Sequence, residues 1–128
     1  MSAIEITKEF LEELVDLIQE QNQEELIPIL EKFYPADIAE LFDDIELEEA
    51  LYIASLLEPQ KKVDVLTELE SDTKLQFLSG YTNDEIANDF FAYIDSDDAA
   101  DILNSMDTTQ GKEILRTLED KEHSKNIA

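Results

Sequence analysis

From residue 35 onward the apolar residues of this chain return every twelve positions, and nothing else in it restricts the fold as strongly. Units begin at Pro35, Leu47, Pro59, Ser71, Asn83, Ser96 and Thr108, with a single thirteen-residue step among the twelves. Seven positions into the units stand Phe42, Ala54, Leu66, Leu78, Phe90, Leu103 and Leu115. Ten positions in stand Ile45, Leu57, Leu69, Tyr81, Tyr93, Met106 and Leu118. All fourteen are apolar in a chain that is 43% apolar overall. Chance alone would give this with a probability on the order of one in 100,000, so the period belongs to the fold and not to the composition. The extra residue falls in the 83–95 unit, at a place the pattern leaves open.

Positions three or four, seven and ten lie on one helical face, so each unit reads as a two-turn amphipathic helix and a short corner. The residues before the units are Tyr34, Glu46, Glu58, Glu70, Thr82, Asp95 and Asp107, mostly acidic or hydroxyl side chains facing the positive end of the coming helix. Pro35 and Pro59 occupy first turns, where a missing N–H costs nothing. Thr82 with Glu85, and Asp95 with Asp98, have capping-box spacing. Helices of about eight residues do not hold alone, because nucleation costs more than so few hydrogen bonds return. They must stack along a continuous apolar seam, which predicts an all-α solenoid without strands. Ahead of it, Phe10, Leu11, Leu14, Val15 and Ile18 recur at helical spacing and predict a longer capping helix. A second is predicted from Asn22, able to cap with Glu25, and Pro28 should kink it or delay its start. The predicted organisation is N-terminal capping helices over 1–33, repeats over 34–120 and a C-terminal segment over 121–128.

Charge and composition remove many functions. Nine Lys and Arg stand against 33 Asp and Glu, a formal net charge of −24, which repels phosphate backbones and anionic lipid. No nucleic-acid partner is expected, and cations are. Without Cys there is no disulfide, zinc ribbon or thiol nucleophile, and the lone His123 completes neither a hydrolase triad nor a two-His metal pair. It reads as an exposed tail residue. Gly80 and Gly111 are too far apart to cradle a phosphate. No enzyme is expected. The longest apolar runs, 50–54 and 90–94, are five residues each against the roughly 20 of a membrane span, so no direct insertion into a membrane is expected.

Carboxylates are therefore the only abundant chemistry, and most of them read as a solvated face. Neither Asp43-Asp44 nor Asp95-Ser-Asp-Asp98 continues as an EF-hand loop. Hydrated Mg²⁺ asks for less, since one or two carboxylates and outer-shell acceptors suffice. Asp97 and Asp101 sit one helical turn apart at a helix start. Two such charges about 6 Å apart repel by roughly 0.7 kcal/mol in water and about 3 at an effective dielectric of 20, strain that a divalent cation relieves. Tyr34, Tyr52 and Phe91 fall off the strictest apolar columns and are the candidates for a partner-binding groove.

Two segments carry a family resemblance. Tyr34-Pro-Ala-Asp-Ile-Ala-Glu-Leu-Phe42 and Asp95-Ser-Asp-Asp-Ala-Ala-Asp-Ile-Leu103 resemble the repeated P-A-D-I-A-E-L-L and D-P-D-D-A-A-D-L-L signatures in the cytosolic N-terminal domain of MgtE-type magnesium transporters. The resemblance runs from about Leu26 to Leu118, departing at Ser96, where that family often has proline, and at Phe42, where it often has leucine. It implies a right-handed superhelical solenoid at the cytoplasmic face of the membrane, regulating a dimeric magnesium channel. Mg²⁺, weakly held by the isolated domain, would bridge acidic residues here and on CBS domains of the same polypeptide and favour the closed pore. By position the resemblance implies Asp64, Asp97 and Asp101 as metal ligands; at 64 the family also uses the longer glutamate. The segment 121–128 would lead to a CBS domain outside this chain. The competing expectation is an acidic helical scaffold that holds a protein partner without metal, similar to the middle domain of the flagellar motor switch protein.

Overall fold

The computed structural model describes residues 6–127, and side chains for 6–119. His123 lies outside the described side chains. Among these residues the structure is helical, with no strands: α1 (Lys8–Gln19), α2 (Gln23–Lys32), α3 (Pro35–Phe42), α4 (Leu47–Ser55), α5 (Pro59–Glu68), α6 (Ser71–Leu78), α7 (Asn83–Glu85, continuing as a π-helical turn Ile86–Phe90), α8 (Ser96–Ser105) and α9 (Thr108–Ile127). All seven unit starts read from the sequence are the first residues of α3 to α9. The last helix departs from the expectation that the longest helices stand at the N-terminus: α9 has 20 residues against 12 in α1 and runs through position 120, where a boundary was expected.

Helices two apart in sequence stack on one another. α3 packs on α5, α5 on the π turn and the π turn on α9, while α4 packs on α6 and α6 on α8. Such stepping is compatible with a superhelical solenoid, and α1 seats the N-terminal hairpin against α4. Two adjacent columns line the core: the predicted Phe42, Ala54, Leu66, Leu78 and Phe90 are buried, and Leu41, Ile53, Val65, Phe77, Ile102 and Ile114, one residue earlier in their units, are each 2% exposed or less. In the 83–95 unit this earlier column also falls on Phe90, one place later than its usual offset.

That column places the thirteenth residue. The Phe91 N–H donates to the Ile86 carbonyl, five residues back, at 3.0 Å. A π turn absorbs one extra residue within a helix. It keeps Ile86, Ala87, Phe90 and Phe91 all buried, as Ile38, Ala39, Leu41 and Phe42 are in α3. Two core expectations are corrected. Tyr93 is 46% exposed because the extra residue shifts the register and Ile94 takes its place, and Leu115 is 44% exposed because the described elements leave its side of α9 uncovered, while Ile114 beside it is buried.

Helix ends follow the sequence in part. Thr82 Oγ1 accepts from the Glu85 N–H at 3.1 Å, and the Glu85 carboxylate accepts from the Thr82 N–H at 2.8 Å. Asp95 and Asp98 do not form the corresponding box; Asp95 makes no side-chain cap and contributes only charge at the helix start. Asp37 and Glu49 instead reach back to the N–H groups of Tyr34 and Glu46, each at 2.9 Å. Asn22 caps α2 through the Glu25 N–H at 3.3 Å, and α2 runs through Pro28 without a delayed start. Pro28 and Glu24 both lie on the exposed side of α2. Between α1 and α2, Gln21 adopts φ 54°, and the Asn22 and Gln21 N–H groups donate to Leu17 and Ile18, a Schellman ending with glutamine in the usual glycine place.

Candidate functional site

The acidic face of α8 follows from helical geometry. Asp97 lies in the first turn, where a carboxylate meets the positive helix end, and Asp101 follows one turn later. Both are exposed, and among the described residues neither carboxylate makes a hydrogen bond or ion pair. Asp101 lines a cleft of about 350 Å³ between α6 and α8 together with Ser71, Lys74, Asn104 and Ser105.

Asp64 is placed differently. It is half-buried on α5, and its Oδ1 accepts from the Gln60 side-chain amide at 3.0 Å. The same amide lies 3.5 Å from the Tyr93 carbonyl, so Gln60 ties Asp64 to the segment that leads into α8. Neighbouring Lys61 donates to the Leu30 carbonyl at 2.8 Å, which fastens α5 to the end of α2. Lys62 stands 5.1 Å over the Phe90 ring as a cation–π contact.

The three aspartates do not gather into one complete cage. Among the described residues no group of three or more His, Cys, Asp or Glu side chains is placed to hold a metal. The α8 pair fits hydrated Mg²⁺, which keeps several waters and needs only one or two carboxylates from the protein.

A larger acidic gathering escaped the sequence reading. Asp43, Asp44, Glu46, Glu48 and Glu49 surround a cleft of about 760 Å³ beside Val15 and Gln19 of α1. The dense run Asp43 to Glu49 was its only signal, and the approach of α1 is tertiary. Of the aromatic candidates, Tyr34 is 53% exposed, Phe91 is buried at the edge of a groove between α8 and α9, and Tyr52 packs against the core with its hydroxyl buried and unpaired.

Among the described residues no helix is long and apolar enough to cross a membrane. A family model described as the MgtE intracellular N domain matches residues 33–128. No curated protein and no solved structure matches.

Proposed function

The chain belongs to the MgtE intracellular N domain family, a transporter domain and not an enzyme family, and on that footing we propose that it senses intracellular Mg²⁺ for its magnesium transporter. The observation that carries this reading is the α8 pair: two exposed carboxylates one turn apart, neither in an ion pair with a protein cation among the described residues. When bound, Mg²⁺ supplies positive charge to a face that otherwise repels any acidic neighbour. Asp97 and Asp101 hold the hydrated ion, Asp64 contributes from α5, and CBS domains of the same polypeptide supply the remaining oxygens. At low Mg²⁺ the acidic surfaces separate; at high Mg²⁺ they close and the dimeric transporter favours its shut pore.

The test replaces Asp97 and Asp101 with Asn in the whole transporter and measures Mg²⁺-dependent closure. Loss of that dependence with transport intact supports the reading, and unchanged gating overturns it. In the isolated chain, millimolar Mg²⁺ should raise the melting temperature by about 1–3 °C beyond NaCl of equal ionic strength, the small linkage effect of a weak half-site. The groove between α8 and α9 favours a second reading, an acidic scaffold for a protein partner without metal. That reading predicts indifference to the Asn replacements.

A further inference from the structure

The apolar seam of a helical stack stays buried only where another element packs over it. Among the described residues, none does so at α8 and α9. The column Phe42, Ala54, Leu66, Leu78 and Phe91 is buried at each step, but its last members surface: Leu103 is half-buried and Leu115 is exposed. Between α8 and α9 they open a groove of about 560 Å³, with Ala99 and Ala100 set among Phe91, Leu103, Leu115 and Leu118. Small residues beside a ridge of leucines leave room for another helix to approach at the usual 8–10 Å between axes.

Charge selects the occupant. Glu119 lines the groove, the lining residue Ser96 is flanked in sequence by Asp95, Asp97 and Asp98, and the chain carries −24 overall. The cations of α9 before residue 120, Lys112 and Arg116, lie outside the groove lining. A second copy would bring the same negative surface against this one. We propose that the α8–α9 groove docks a basic amphipathic helix, with apolar side chains over Ala99 and Ala100 and Lys or Arg meeting the acidic rim.

The test titrates the ¹⁵N-labelled 128-residue chain, in 150 mM salt, with a synthetic helix carrying one leucine face flanked by lysines. A peptide with the same leucine face flanked by glutamates is the control. The lysine peptide should shift the amides of Ala99, Ala100, Leu103 and Leu115, and the glutamate peptide should not. Leu115→Ser should weaken binding at least tenfold. If that variant melts early, Ala100→Gln, which fills the groove from an exposed position, should do the same. The proposal is overturned if both variants bind as well as the parent. Shifts spread equally over the Asp43–Glu49 cleft would overturn it as non-specific charge attraction. A Leu115-dependent dimer in sedimentation would show instead that the occupant is a second copy.

Discussion

Ile86 and Phe91 are joined by a 3.0 Å hydrogen bond from the Phe91 N–H to the Ile86 carbonyl, which closes a π turn where the neighbouring units are purely α-helical. This bond lets a thirteen-residue unit keep the inward face of a twelve-residue one.

Deleting exposed Asn88 should therefore restore the common step, bringing Ile86, Ala87, Phe90 and Phe91 into the spacing of Ile38, Ala39, Leu41 and Phe42. The expected cost is below about 2 kcal/mol, with cooperative unfolding retained. Deleting equally exposed Gln76 from regular α6 turns Phe77 and Leu78 off the seam and should cost more than about 4 kcal/mol. Urea unfolding followed by circular dichroism compares the two; equal losses would remove the π turn's role as the absorber of the insertion.

The two glycines should respond differently to alanine. At Gly111, inside α9, an added Cβ meets nothing closer than the Leu103 carbonyl at 3.7 Å, so the gain in helix propensity should stabilise by about 0.5–1 kcal/mol. At Gly80 the Cβ would come within 2.6 Å of Leu51 Cδ1, so Leu51 must shift and the replacement should bring no gain. Thermal melts of both variants check the pair.

Caps separate what spacing alone equates. Thr82→Ala removes an observed hydrogen bond to the Glu85 N–H and should cost about 1 kcal/mol. Asp98→Ala removes no observed box partner of Asp95 and should change stability by less than about 0.5 kcal/mol in moderate salt. A loss at Asp98 matching that at Thr82 would contradict the described α8 terminus.

Alkaline stability should report Tyr81. Burial, then the charges of Glu85 and Asp89, push its phenol from 10.0 to about 12. The folded state thus favours the neutral form. The stabilisation is complete below pH 10 and is lost as pH rises through about 12. Tyr81→Phe has no such proton to lose, so the parent should lose more stability than the variant between those values. Denaturant midpoints across that range test it, and parallel curves for the two proteins would count against the shift.

Much of this was legible before any coordinates. Apolar spacing and start signals located the first residue of every helix from α3 to α9, because each short helix must begin at a corner and present one stripe inward. The acid pair of α8 was legible too, since four residues in a helix are one turn. Asp64 was named only through the family resemblance, and nothing local in the sequence shows its setting. Its surroundings depend on Gln60 reaching the Tyr93 carbonyl, a contact between residues 33 positions apart.

By itself the sequence determined that the chain is a stack of short helices with a negative exterior, since period and composition act locally and need no partner. Tertiary structure alone decided which residue of two adjacent apolar ones is covered late in the repeats, favouring Ile94 over Tyr93 and Ile114 over Leu115. It also put the extra residue into a π turn and left the seam open at α8 and α9. The reason is that burial is set by the helix two units away: periodicity gives the direction of a stripe to within about one residue, and packing against that neighbour selects the rest.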